Sequence, residues 1–244
     1  MKKKKVDLII KLGIAVIIFS GLWFASIAVY RILKKSDYFA VTDIFIKGDD
    51  TINLSYLKGK NIFSIDLKKE ARRILSECPD SKNVKIVIVP PNRLYVNFLK
   101  RKPIALVKLH KIFAVDNEGV LFYADNDINS PELPLITGLG RKIFAPKAGK
   151  DYNIPELKFA LSLIKELRTN KSLRKYGVNK IDVSNSTFAV LMISSLEVRI
   201  AYAKIKENIY ILGEIFRRSA DELTNLKYVD LRFTDPIIKL KNDK

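Results

Sequence analysis

The sequence predicts an α+β protein: a single N-terminal transmembrane helix, a small β-α-α-β-β domain, and a larger strand-rich α+β domain. Three observations predict it. Leu12 to Tyr30 is an unbroken run of nineteen uncharged residues. Roughly sixty residues beginning near Tyr38 then read strand, helix, helix, strand, strand. From Lys102-Pro103 onward, short strand-like runs are interrupted by only two helical stretches.

The uncharged run would cover about 28 Å as a helix, close to the hydrocarbon thickness of a bilayer. Residues 12–33 are therefore expected to span a membrane. Trp23 and Tyr30 are amphipathic aromatics, and Tyr30 stands where an interfacial anchor would. Lys2, Lys3, Lys4, Lys5 and Lys11 precede the run against a single acid, Asp7, while Arg31, Lys34 and Lys35 follow it. The larger basic excess puts residues 1–11 in the cytoplasm and the domains outside it. A cleaved signal peptide with Ser26-Ile27-Ala28 as its small-x-small site is the competing reading, but its apolar core would exceed the usual length.

In the small domain, Phe39 to Lys47 alternates as a strand that Gly48-Asp49-Asp50 ends. Ile52 to Leu57 suggests a short helix closed by Gly59. Leu67, Ala71, Ile74 and Leu75 then recur on one helical face, which Cys78-Pro79-Asp80 terminates. Val84–Val89 and Arg93–Leu99 are strands joined by Pro90-Pro91-Asn92.

The larger domain opens with strand-like runs at Ile104–Leu109, Ile112–Val115 and Val120–Tyr123, the last two joined by Asp116-Asn117-Glu118-Gly119. Leu133 to Gly138 is extended, and Pro155–Leu167 is helical, with Pro155 in the first turn. Val178–Val183, Phe188–Ile193 and Leu196–Ile200 follow as strands. Ile205, Ile209, Leu212 and Phe216 share one helical face, Tyr228–Phe233 is a last strand, and Lys239–Lys244 is expected to be a loose tail.

Composition excludes several functions. One Cys and one His rule out a disulfide framework and multi-ligand zinc sites. Cys78, at the C-terminal end of a helix, is poorly placed to be an activated thiolate, and His110 lies in a lysine-flanked turn. No G-x-S-x-G elbow accompanies His110, and Gly138-Leu139-Gly140 lacks the third glycine of a dinucleotide loop. Asp116 and Glu118 are explained by a hairpin turn. No enzyme activity, cofactor, metal or small-molecule substrate is expected. The net charge of +18 invites a nucleic-acid reading, but +7 of it belongs to residues 1–35. The remaining +11 is spread without a basic stripe interleaved with aromatics.

Six strings, in order, make the sequence resemble the FtsQ/DivIB family of bacterial cell-division proteins. Tyr38 to Gly48 is similar to the family's first extracytoplasmic strand, which opens a POTRA domain, and Gly59 to Asp66 to its G-x-N-(I/L)-(F/W)-x-(I/L/V)-D stretch. Pro91-Asn92-Arg93-Leu94 with Arg101-Lys102-Pro103-Ile104-Ala105 resembles its P-x-x-L … E-R-x-P-x-A segment, although Lys100 stands where an acid is usual. Val115–Phe122 is similar to its x-D-x-x-G hairpin, Leu133–Gly138 to L-P-x-(I/L)-x-G, and Tyr228–Phe233 to V-D-(L/V)-R-(Y/F). Ala201 stands where the family usually has glycine.

The resemblance implies a POTRA domain over residues 38–102 and an FtsQ/DivIB-type β domain over 103–238. It also implies a non-enzymatic scaffold of the divisome at the septum, linking early division proteins to septal peptidoglycan synthesis. Its partners would be the single-span coiled-coil proteins FtsL and FtsB (DivIC in Gram-positive bacteria). A POTRA-bearing component of a secretion or envelope-assembly system is the alternative. Tyr228, Val229, Asp230, Leu231, Arg232 and Phe233 are the candidate partner-binding residues, as a strand at a sheet edge that a partner segment completes. Tyr228, Asp230 and Arg232 would share one face, and Val229, Leu231 and Phe233 the other.

Overall fold

Helix α1 (Lys2–Lys35) carries the uncharged run, and its side chains from Leu12 to Lys35 are nearly all exposed. It is long and apolar enough to cross a membrane. Ser20 and Ser26 return their hydroxyls to the carbonyls of Ile17 and Leu22, so neither leaves a bare donor on the apolar surface. The computed structural model describes residues 2–48, 52–123, 133–218 and 223–241; the side chains of residues 1–11 and 224 lie outside the description. The expected interfacial residues Lys2, Lys3, Lys4, Lys5 and Lys11 are therefore placed in α1 by backbone alone, and Asp49 and Asp50 lie outside the described residues.

The chain divides into two compact units: Met1–Glu77 with Lys82–Leu99, and Cys78–Ser81 with Lys100–Lys244. The first holds α1 and a small mixed sheet of β1 (Asp43–Lys47), β2 (Ser81–Val89) and β3 (Arg93–Lys100), in the order β1-β3-β2. β1 runs parallel to β3. Helix α2 (Leu67–Glu77) starts where Asp66 Oδ1 accepts the N–H groups of Lys68 and Lys69 at 3.1 and 3.0 Å. Ile74 of α2 is buried, as are Leu94, Val96 and Phe98 on alternate positions of β3. The expected helix at Ile52–Leu57 is a single 3-10 turn, Ser55–Leu57.

The second unit is built on one sheet of ten strands among the described residues, in the order β13-β12-β11-β10-β9-β7-β4-β5-β6-β8. In chain order these are β4 (Ala105–Lys108), β5 (Ile112–Val115), β6 (Val120–Tyr123), β7 (Leu135–Thr137), β8 (Lys150–Asp151), β9 (Val178–Asp182), β10 (Phe188–Ile193), β11 (Leu196–Ala201), β12 (Leu226–Leu231) and β13 (Ile237–Leu240). Two helices, α3 (Pro155–Thr169) and α4 (Ile205–Arg218), share a core with the sheet. Leu157, Leu163, Ile164 and Leu167 come from α3, and Ile209, Leu212 and Phe216 from α4. They meet the inward residues of β10 and β11, where Ala189, Leu191 and Ile193 and then Leu196, Val198 and Ile200 alternate with half-buried neighbours. β11 and β12 are parallel neighbours, and α4 is the crossover that such a pair requires. β11 runs through Ala201, so the missing glycine leaves the strand intact.

Two motif residues show why the sequence turns where it does. Asp116 ends β5, and its Oδ1 accepts the N–H groups of Glu118 and Val120 at 2.9 and 3.0 Å, with Gly119 at φ +85° closing the turn into β6. Its Oδ2 accepts from Arg101 Nη1 at 2.5 Å, a pair almost wholly removed from solvent. Gly138 follows β7 at φ +94°, and a Cβ there would sit 2.3 Å from Ser184 N. Only glycine allows that approach.

The expectation that Tyr228–Phe233 is a strand at the sheet edge is corrected in two ways. The strand runs Leu226–Leu231, and β13 pairs antiparallel outside it, so β12 has a neighbour on each side. Lys239 and Leu240, expected in a loose tail, belong to β13; residues 242–244 lie outside the described residues. The physical reason lies at Asp230. Its Oδ1 accepts the Arg232 N–H at 3.1 Å, which bends the chain out of the ladder before Phe233 and leads it back through Thr234-Asp235-Pro236.

Candidate functional site

The candidate site is the end of the large sheet formed by β11, β12 and β13. β12 is fixed by its apolar residues: Leu226, Val229 and Leu231 are buried in the core shared with α3 and α4. Register then places Tyr228 beside Glu197 and Asp230 beside Arg199 across the parallel β11–β12 pair. On the outer side, Tyr228 pairs with Lys239, Val229 with Ile238 and Asp230 with Ile237.

Asp230 is the centre of this end of the sheet. Its carboxylate is buried and accepts from Arg232 Nε at 2.9 and 3.1 Å and from Arg232 Nη2 at 2.6 Å, with Arg199 Nη1 at 3.9 Å. Burial pushes the Asp230 carboxyl up, but the side-chain and backbone hydrogen bonds from Arg232, with the charges of Arg232 and Arg199, outweigh it. The group is held below the usual carboxylate range. The same bonds raise Arg232 above its ordinary value. Arg232 lies over the rings of Phe188, at 4.6 Å, and Phe233, at 5.4 Å. Arg199 lies over Tyr228 at 5.0 Å and pairs with Glu197 at 2.8 Å.

Of the six predicted residues, Tyr228, Asp230 and Arg232 therefore join one cation–aromatic ladder, and Val229 and Leu231 face the core. Phe233, expected with Val229 and Leu231, lies beyond the strand and is exposed. The charges on the ladder are matched, and its one buried carboxyl is kept ionised by two guanidiniums. It suits holding a surface in shape, not moving protons.

β13 is the element of this end of the sheet that the residue pattern did not predict. It is the last strand in the order, and no further strand of the described residues lies outside it. Its side chains contribute little to the core: Ile237, Ile238 and Leu240 are all exposed. The signal available was the turn-forming Thr234-Asp235-Pro236 followed by Ile237-Ile238-Lys239-Leu240.

The predicted interfacial residues lie on α1. Trp23, Tyr30 and Arg31 are exposed, and Lys34 Nζ lies 4.8 Å from the centre of the Tyr30 ring. Cys78 is buried, and His110 is exposed and edge-on to Phe113. Among the described residues no His, Cys, Asp or Glu cluster could hold a metal ion.

Residues 105–232 match the family model for the C-terminal region of cell division protein FtsQ/DivIB. Curated relatives called cell division protein FtsQ are similar over most of the chain. That of Geotalea daltonii is 22% identical over 228 residues, which is 89% of this chain and 81% of the relative. That of Syntrophotalea carbinolica is 24% identical over 85% of this chain and 76% of the relative. That of Geobacter sp. strain M21 is 24% identical over 91% and 83%.

Proposed function

Because the chain belongs to the FtsQ/DivIB family of cell-division proteins, we propose that it is a bitopic scaffold of the divisome. The family is a non-enzymatic one. In this reading α1 spans the cytoplasmic membrane, with residues 1–11 inside and the two folded units outside, at the septum. Residues 38–102 act as a POTRA domain and residues 103–238 as the partner-binding β domain. The scaffold links early division proteins to septal peptidoglycan synthesis by holding FtsL-like and FtsB/DivIC-like single-span proteins.

The observation that carries the reading of the binding site is the order of the large sheet, which ends on β13. The outward main-chain groups of such a strand are a template for an extended partner segment. Behind it, the Asp230–Arg232 ladder fixes β12, and therefore the plane in which the partner would lie. Tyr228, Asp230 and Arg232 thus serve as a platform one strand removed from the partner.

A photo-crosslinking residue at Ile238 or Lys239 of the full chain should trap an FtsB/DivIC-like partner in the native membrane. Trapping only from Lys150, at the opposite end of the sheet, would move the site there. A fluorescent fusion separates the division role from envelope assembly: a mid-cell band is expected, and uniform envelope signal would reject it.

A further inference from the structure

The last carbonyls of a helix need partners outside it, and α1 finds them in the small unit. Asn61 Nδ2 donates to Leu33 O at 2.8 Å and to Ser36 O at 2.9 Å. The Oδ1 of the same side chain accepts the Phe63 N–H at 3.0 Å, and the Asn61 main chain bridges to Ala40. One amide thus ties the end of α1 to the 3-10 turn Ile62–Ser64. That turn lies against α1, where the Tyr30 hydroxyl donates to Phe63 O at 3.5 Å.

The clamp determines depth. Tyr30 closes the uncharged run, so in a bilayer it stands where hydrocarbon gives way to headgroups. A main-chain atom within hydrogen-bond reach of Tyr30 stands at that level too. Three rings are linked in contact at this turn. Phe63 meets Phe39 edge-on with centroids 5.1 Å apart, and Phe39 meets Tyr38 in the same way at 5.1 Å. Tyr38 is 68% exposed, and Phe39 and Phe63 are only half-buried. Around the same helix end Arg31, Lys34 and Lys35 are exposed, opposed by Asp37. Aromatic rings with cations beside them are the composition that settles at a lipid–water boundary. Here the folded unit, not the span alone, supplies them.

We propose that Tyr38, Phe39 and Phe63 form a lipid-contacting ridge, seated at the headgroup level of the leaflet from which α1 emerges, with Arg31, Lys34 and Lys35 on its phosphates. The proposal rests on the reading of α1 as a membrane anchor. Phospholipid is the occupant because the Asn61 clamp and the Tyr30–Phe63 contact hold the rings at the level where the apolar run ends. The cations give that surface the sign that attracts anionic headgroups.

Trp23 is the sole tryptophan of the chain, which makes depth measurable. The full chain is reconstituted in phosphatidylethanolamine–phosphatidylglycerol vesicles, and tryptophan emission is quenched by lipids brominated at defined depths and by aqueous iodide. In the unsubstituted chain Trp23 should be quenched by deep bromines. In a Trp23→Phe background, Phe63→Trp and, separately, Tyr38→Trp should be quenched best by shallow bromines and at least two-fold less by iodide than free indole is. Adding Asn61→Ala to the Phe63→Trp chain should restore iodide quenching, while Asn61→Ala alone leaves Trp23 deep. Tyr38 is exposed, so its reporter tolerates the ring change, and circular dichroism confirms that each variant is folded. If both reporters are quenched by iodide and not by lipid while Trp23 is deep, the ridge is overturned and the anchor stands. If Trp23 itself escapes lipid quenching, the anchor reading falls and takes the ridge with it.

Discussion

Val229 of β12 and Ile238 of β13 face one another across an antiparallel pair, yet Val229 is fully buried and Ile238 is 45% exposed. The two strands are held by different forces. β12 is fixed by side chains in the core, whereas β13 is held mainly by its main-chain ladder to β12.

That difference predicts unequal local stability. In hydrogen exchange of the detergent-solubilised chain, amides of Ile237–Leu240 should exchange at least ten-fold faster than those of β10 and β11. Deleting residues 236–244 should leave the second unit folded and cost about 1–2 kcal/mol, the worth of a few main-chain hydrogen bonds. A chain that unfolds on deletion would show β13 to be part of the core.

Arg232 is predicted to matter for stability more than its partial exposure suggests. Arg232→Ala strips the buried Asp230 carboxylate of its side-chain donors and leaves the main-chain N–H of residue 232 at 3.1 Å and Arg199 at 3.9 Å. The expected loss is about 2–3 kcal/mol in urea unfolding, since a hydrogen bond to a buried charge exceeds a neutral one. Pairing Arg232→Ala with Asp230→Asn should recover part of that loss, because the orphaned charge is gone. Additive losses would rule out the coupling.

Acid should weaken the second unit through three carboxyls. Asp230 is held low as described. Asp182 is raised by burial, but the hydrogen bonds from Ser184 and Thr137 outweigh this and hold it low. Glu156 is lowered by its hydrogen bond from Lys142 against the opposing effect of burial. Each folded-state pKa lies below its ordinary value, so on acidification the unfolded chain takes up protons first. The stabilisation is complete above the ordinary carboxylate range and is lost as pH falls through the lower folded values. Unfolding free energy should therefore decline below about pH 4, and Asp230→Asn should flatten the decline. An unchanged slope would remove Asp230 as a contributor.

Gly138→Ala is predicted to be severely destabilising. The residue is at φ +94°, and the new methyl would meet the Ser184 backbone at 2.3 Å, where no flexible side chain can yield. Strain together with displacement of the backbone after β9 should cost about 3 kcal/mol or more. Gly140→Ala, with nothing near its Cβ position, is the matched control and should cost well under half of that.

Much of the fold was legible because burial leaves a period in the sequence. The alternation of Phe188–Ile193 and the spacing of Ile205, Ile209, Leu212 and Phe216 became β10 and α4. The edge was not legible, because alternation alone suits a strand from Tyr228 to Phe233 as well as one from Leu226 to Leu231. What decides is the bond from the Arg232 N–H to Asp230, a local turn inside an apparently regular pattern. β13 escaped notice because main-chain pairing imposes little side-chain pattern, and Ile237 and Ile238 do not alternate. Asn61 could be read as part of a motif, but its bond to Leu33, 28 residues away, leaves no trace in spacing.

The parallel pairing of β11 with β12 also sets an order in time. The β10–β11 hairpin can close from adjacent residues alone, but β12 cannot pair until the whole of α4 has followed β11 out of the membrane. The proposed docking end of the sheet is thus completed after every other described strand. A copy whose translation stops before β12 would carry α1 and the small sheet yet lack this end of the large one.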